Sequence, residues 1–335
     1  MINFMEIKKI ITKRKYKNWR SWQLVFEWED IFKKELGASF VMNPNNGFHY
    51  RLGKTFGSFY DSLPISKFWP WPSFLYEMLT TERVTPHCNS SRIIPCIIDW
   101  YLKTPEELRD FFKHYSNHKL ILVTSKEVFD YLCSIDTPIP FGHLPLSISD
   151  KYRITPDTIF EKDLDVVLMG RQNPVLLEWL ARYSESHPEI TIVSSKREKD
   201  NYNYYTQDGK FVANAVGRNQ CMDLLRRSKV SLYSTKGMDD DYTFFNLNGF
   251  SQVTPRLFES MATGNHVIAR YKENADTDFY QLNTIFPHTD SYESFKKQMD
   301  IALAQPVDMR AYSNYLEKHY TSTRVKLLKD LVLPL

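Results

Sequence analysis

Short apolar runs alternate with helical patterns that carry their own start and stop signals, and this alternation constrains the fold most. Arg92–Asp99 (RIIPCIID) reads as a strand. Thr104-Pro105-Glu106-Glu107 then supplies an N-cap, a proline for the first helical position and a glutamate for a capping box. Lys119–Val123 is the next strand, with Ser125 placed to cap SKEVFDYL. Residues 136–152, rich in Pro and Ser and without a period, read as a connection. A second alternation follows: Leu164–Met169 runs into Gly170, Asn173-Pro174 opens PVLLEWLARY, and Ile190–Val193 is a strand. Asn219 is the expected cap of QCMDLLRRS, and Lys229–Tyr233 is another strand. Thr254-Pro255 opens RLFESMAT, which stops at Gly264 before the strand HVIAR. From about Ser291 the chain is helical by period, with Leu327, Leu328, Leu331 and Val332 forming a stripe.

Near-continuous apolar strands between helices imply parallel sheets covered on both faces. The expectation is therefore an α/β chain of two Rossmann-like doubly wound domains, 1–145 and 146–310, facing a cleft. Helices in 311–335 are expected to pack back toward the first domain. Ligands of such sheets sit outside the carboxyl ends of the strands, so the cleft is the expected site.

Composition excludes other classes. The 335 residues are 42% hydrophobic and 25% charged, which is globular. No run approaches the roughly 18 apolar residues of a spanning helix. The N-terminus, MINFMEIKKIITKRKYK, has basic residues where a secretory signal needs an apolar core, which points to a cytoplasmic protein. Cys88, Cys96, Cys133 and Cys221 are scattered without metal-ligand spacing, and read as reduced thiols. A net charge of +3 gives no general field for nucleic acid. The first residues are nonetheless basic: Lys8, Lys9, Lys13, Arg14, Lys15, Lys17 and Arg20 face only Glu6, beside Ile7, Ile10, Ile11, Trp19 and Trp22. Two readings stand: a peripheral contact of residues 1–22 with an anionic membrane surface, or a solvated first strand and loop.

Familiar nucleotide motifs fail on counting. Five residues separate Gly47 from Gly53-Lys54-Thr55, where a phosphate loop has four, and no G-x-G-x-x-G follows a strand. Asp239-Asp240-Asp241 follows KVSLY; it reads either as a divalent-ion site or as an exposed acidic loop, and the loop is preferred, so no metal is expected.

The most informative stretch is Thr254–Arg270, TPRLFESMATGNHVIAR. Leu257, Phe258 and Met261 share one side of its helix, and Arg256, Glu259 and Thr263 another. A helix start suits a diphosphate, and a carboxylate one turn in can accept hydrogen bonds from the vicinal hydroxyls of a ribose. The plain alternative is a surface Arg256–Glu259 pair at i,i+3.

RLFESMATGNHVIA resembles the R-L-F-E-x-x-A-x-G-x-x-V-I segment of GT-B glycosyltransferases of the "group 1" type. DVVLMGR resembles the strand and Gly-Arg that open that family's C-terminal domain, NQCMDLLRRSKVSLYS its helix and Ser-ending strand, and GHLPLSI its interdomain crossing. The similarity covers roughly residues 140–330. It implies that Glu259 grips the nucleotide ribose, that Gly170 and Arg171 face the donor phosphates, and that Arg256 and Thr254 at the helix start also serve phosphate. Lys196 is the candidate for the family's phosphate lysine. The second family glutamate, eight positions before Glu259, is Ser251 here, and Asn248-Gly249-Phe250 resembles an uncharged E-G-F.

On the acceptor side, Asp99 follows a strand and is a candidate general base, with Trp100 and Tyr101 either a sugar-stacking wall or a structural turn. His114, His118 and His143 are further candidates to face the sugar, each more often structural. The resemblance implies a hexosyltransferase-type activity moving a sugar from a nucleotide-diphosphate sugar to a hydroxyl of a glycan or lipid-linked glycan. It would retain configuration, serve polysaccharide biosynthesis and need neither metal nor cofactor beyond the donor. The alternatives are a non-catalytic nucleotide-sugar-binding or assembly partner, and an enzyme of another class on the same fold.

Overall fold

The structure, a computed structural model, describes residues 6–15, 17, 20–42, 73–84, 86–87, 89–198, 201–240 and 249–335. Gly47, Gly53-Lys54-Thr55, Cys88, Trp19, Asp241 and Asn248 lie outside them. The chain divides into two compact units. The first comprises the described residues of Met1–Ser149, Asn246–Phe250 and Thr321–Leu335; the second those of Asp150–Phe245 and Ser251–Tyr320.

The first unit is built on six parallel strands, β1 (Ile7–Thr12), β2 (Ser39–Met42), β3 (Phe74–Thr81), β4 (Ile93–Asp99), β5 (Ile121–Val123) and β6 (Phe141–His143), in the order β2-β1-β3-β4-β5-β6. Helices α1 (Arg20–Leu36), α2 (Pro105–Tyr115) and α3 (Lys126–Ser134) connect them. The capping box at Thr104 and Glu107 forms as its spacing predicts, and Ser125 caps α3 through the Val128 amide. Strand β6 corrects the reading of 136–152 as plain connection: three residues, FGH, pair beside β5, too few to show a period.

The basic N-terminal segment is open to two readings in the sequence. Ile7, Ile10, Ile11 and Trp22 are buried in the core, so its apolar side packs inside the first unit. Lys13 is also buried, 3.3 Å from Glu77, and Arg14 pairs with Glu29 and Asp30. A second cluster, around Leu79, Ile97, Trp100, Phe111, Tyr115 and Val128, fills the space between β4, α2 and α3.

The second unit has the sheet order β10-β9-β8-β7-β11-β12. Its strands are β7 (Leu164–Leu168), β8 (Ile192–Glu198), β9 (Asn201–Thr206), β10 (Phe211–Asn214), β11 (Ser228–Ser234) and β12 (His266–Arg270). Four are parallel, and β9 and β10 form an antiparallel edge that the sequence reading missed. The helices are α4 (Pro174–Ser186), α5 (Arg218–Arg226), α6 (Arg256–Ala262), α7 (Ala275–Phe279), α8 (Leu282–Ile285), α9 (Tyr292–Ala304) and α10 (Met309–Leu316). Val166, Leu176, Leu180, Tyr183, Val230, Ile268, Phe295 and Met299 make its core. The last helix, α11 (Thr321–Val332), belongs to the first unit. There it meets α1, Arg324 donates to the carbonyls of Pro145 and Leu146, and Thr321 N–H donates to Ile148 O.

Two helix starts decide where the polar groups lie. Asn173 caps α4, its Oδ1 accepting from Leu176 N–H at 3.1 Å. Helix α5, by contrast, is capped two residues before the expected cap: Gly217 is the N-cap, and Asn219 lies inside, accepting from Lys151 Nζ at 3.0 Å.

Candidate functional site

In the second sheet the chain goes from β7 to β8 on one side, then returns to β11 on the other. The reversal between β7 and β11 is a topological switch point, and the carboxyl ends flanking it are where such a sheet binds ligands. Those ends are Gly170-Arg171 after β7 and Ser234-Thr235 after β11. Gly170 has φ +74, a left-handed turn that glycine adopts without strain. Arg171 Nη2 then reaches across to donate to Ser234 O at 3.2 Å, linking the two strand ends.

Helix α6 brings the TPRLFE residues to this edge. Thr254 N–H donates to Tyr233 Oη at 3.2 Å, on the penultimate residue of β11, and Ser231 and Ser260 hydroxyls meet at 2.8 Å. The helix ends in a Schellman turn: Asn265 N–H donates to Ser260 O and Gly264 N–H to Met261 O, with Gly264 at φ +65. Pro255 is the N-cap rather than the first helical residue, with no side-chain cap.

Glu259 is 6% exposed and lies between two guanidinium groups. Arg218 Nη1 donates to its Oε1 at 2.6 Å; Arg256 Nη1 stands 3.3 Å from Oε2 without forming a hydrogen bond. Burial alone pushes such a carboxyl up, but the charges of Arg218 and Arg256 more than offset it and hold it below the usual range. The guanidinium of Arg256 also runs past Gly170, where a Cβ would stand 3.1 Å from Nη2. Three arginines and one glutamate are therefore gathered beside the switch point.

Gly170, Arg171, Thr254, Arg256 and Glu259 thus come together. Lys196 does not join them: it is exposed on β8, with its ammonium 5.4 Å over the Tyr205 ring. Arg218 was missed by the sequence reading. Its available signal was a cation in the first turn of a helix, which opposes the helix dipole and asks for a partner. Ser251 is buried, its hydroxyl 2.7 Å from that of Thr235.

Asp239 is half-buried rather than an exposed acid. Its carboxylate is engaged by Arg270 and Asn173, and among the described residues no three His, Cys, Asp or Glu gather as a metal site would. A cavity of about 560 Å³ opens at the opposite end of the strands, lined by Phe160, Lys162, Lys229, His266 and Met309 among others. Lys162 there donates to Thr263 O at 2.7 Å, closing the carboxyl end of α6, and burial brings its amine down to about 7. That cavity lies away from the switch point.

In the first unit Asp99 ends β4, accepting from Tyr101 Oη at 3.4 Å. Of the two readings of Trp100 and Tyr101, burial favours the structural turn: they are 1% and 2% exposed, with Trp100 packed edge-on to Phe111. The three histidines are turned to backbone carbonyls, His114 to Asp110, His118 to Ile93 and His143 to Thr124.

Residues 171–330 match the family model "Glycosyl transferase-like". No curated protein matches the chain in sequence. Among solved structures, AviGT4, a glycosyltransferase involved in avilamycin A biosynthesis, is 8% identical over 97% of each chain with a TM-score of 0.50. The pneumococcal O-GlcNAc transferase GtfA, solved with UDP and GlcNAc, is 10% identical over 77% of this chain, TM-score 0.47. The GtfA/B complex gives 12% over 77%, TM-score 0.46. The present chain spans 56% of each of these last two matched chains, little more than half their length. Two α/β units with a reversal point in each sheet are the fold of the GT-B glycosyltransferases, and residues 171–330 of this chain are similar to a glycosyl transferase-like family model.

Proposed function

We propose that the chain transfers a sugar from a nucleotide-diphosphate sugar to a hydroxyl of a glycan or lipid-linked glycan, without a metal ion and with retention. The observation that carries this reading is Glu259 at the switch point, buried and ionised among arginines. A ribose hydroxyl donates to the carboxylate; Arg171 and Arg256 take the diphosphate. Negative charge develops on the leaving diphosphate in the transition state, and fixed cations there lower the barrier without reorganising. Arginine offers a planar fork for phosphate oxygens. Asp99 is the proposed acceptor of the proton lost by the attacking hydroxyl. Lys196 and Thr254 remain proposed phosphate contacts, the first requiring its ammonium to leave Tyr205. Among the described residues no helix is long and apolar enough to cross a membrane.

A thermal-shift panel of UDP, GDP, ADP and dTDP with their common sugar conjugates tests the reading, because a ligand selective for the folded state raises its stability by mass action. One diphosphate should stabilise the wild type and fail to stabilise Glu259→Ala. Equal stabilisation of both would remove the ribose role from Glu259. A second reading, a non-catalytic binding partner, is favoured by the buried Ser251–Thr235 contact at the family's second glutamate position. Release of free diphosphate on adding acceptor decides for the enzyme.

A further inference from the structure

We infer that Arg218 is a positioning residue that splits the Glu259 carboxylate into one fixed oxygen and one exchangeable oxygen. This rests on the reading of Glu259 as the ribose contact.

Arg218 sits at the first helical position of α5, where the helix dipole disfavours a cation. The side chain is 9% exposed, so its charge is largely stripped of water as well. A short charged hydrogen bond offsets part of both costs: Nη1 donates to Glu259 Oε1 at 2.6 Å. The Tyr152 ring lies 5.4 Å from the same guanidinium and holds it from another side.

The other oxygen is treated differently. Oε2 faces Arg256 Nη1 at 3.3 Å, in an ion pair to which Nη1 donates no hydrogen bond. Arg256 is 28% exposed and lies along Gly170, the residue next to Arg171. A phosphate arriving at Gly170-Arg171 therefore competes for Arg256 with an ion pair that has no hydrogen bond to lose. As Arg256 moves to phosphate, Oε2 is released to the ribose hydroxyls. Arg218 meanwhile keeps the carboxyl ionised and its plane fixed. Arg256 then reads phosphate, and Arg218 acts on ribose through Glu259.

The test is calorimetric titration of wild type and Arg218→Met with UDP, GDP and ADP, followed by the 2′-deoxy form of whichever binds best. Losing a charged hydrogen bond that orders the acceptor should weaken the ribonucleotide about tenfold or more. The deoxy form, which lacks one of the hydroxyls Glu259 grips, should lose no more than about twofold. Affinity of the variant for the ribonucleotide, relative to its affinity for the deoxy form, should also fall from pH 7 to 5 as Glu259 protonates; in the wild type that ratio should stay constant, because the nucleotide's own phosphate titration is common to both forms. Arg218→Lys keeps the charge and should restore part of the affinity; if the Met variant does not fold, the Lys variant is judged by the same ribose-specific loss. Equal losses for both forms of the nucleotide, or none, overturn the positioning role. A wild type that binds none of the three diphosphates overturns the donor reading and this inference with it.

Discussion

Asp239 holds the Arg270 guanidinium through two hydrogen bonds, Nε to Oδ2 at 2.6 Å and Nη2 to Oδ1 at 2.9 Å. Asn173 Nδ2 adds a third at 2.9 Å, so one carboxylate ties the loop after β11 to the ends of β12 and the β7–α4 turn. Burial acts to raise this carboxyl, but Arg270 and Asn173 outweigh it and hold it low. A lowered acid stabilises the fold fully above its unfolded value and loses that contribution as pH falls through the folded one. Asp239→Ala strands the partly buried Arg270 and should cost about 2–3 kcal/mol by urea denaturation at pH 7. Magnesium should not change the wild-type melting temperature, since both oxygens are already occupied.

Glu29 gives the opposite pH sign. Burial raises it to about 7, against the hydrogen bond from Thr12 and the charge of Arg14. The folded chain then keeps a proton that the unfolded chain releases near 4.5. Its contribution is fully present at acid pH and is lost as pH rises through about 7. Glu29→Gln removes this titration. Denaturation of wild type and variant at pH 5.5 and 8 should show the variant losing less stability on the alkaline side; parallel losses would refute the assignment.

Gly170→Ala places a Cβ at φ +74 and 3.1 Å from Arg256 Nη2. The backbone strain should cost about 1–2 kcal/mol. Displacing Arg256 should further weaken diphosphate binding, while affinity for the free nucleoside should change less. Titration with both ligands separates the two effects.

Asp99→Asn should leave the stabilising effect of the nucleoside diphosphate intact and slow transfer by about a hundredfold or more, the range of general acid–base catalysis. Trp100→Ala, one residue on, should behave as a core truncation, costing about 3–5 kcal/mol, because its ring packs on Phe111 and Phe141. A Trp100 variant that lost transfer without losing stability would return the ring to the acceptor wall.

What the sequence disclosed was whatever is settled within one turn of chain. The Thr104–Glu107 box, the Asn173-Pro174 start and the Gly264 stop are local contracts between neighbouring residues, and each forms. Asp208-Gly209 between aromatic runs was a readable hairpin signal that went unused; Gly209 has φ +88 and joins β9 to β10. Strand β6 was too short to read. A cation at a helix start asks for a partner, but that the partner of Arg218 is Glu259 was not readable, because Arg218 precedes it by 41 residues and no local rule links a helix start to a carboxylate so far away. Of the gathered site, Gly170, Arg171, Arg256 and Glu259 were legible through motif; their mutual engagement required the fold.

The return of Thr321–Leu335 to the first unit has a practical corollary for dissecting the molecule. Gly142 of β6 is so closely covered that a Cβ there would meet Leu331 Cδ2 at 3.3 Å and Leu122 Cδ2 at 2.8 Å. Expressing residues 1–149 alone would strip that helix away and leave apolar strand surface bare, inviting aggregation. A soluble amino-terminal half should instead be made by splicing 321–335 onto the truncated gene through a flexible linker.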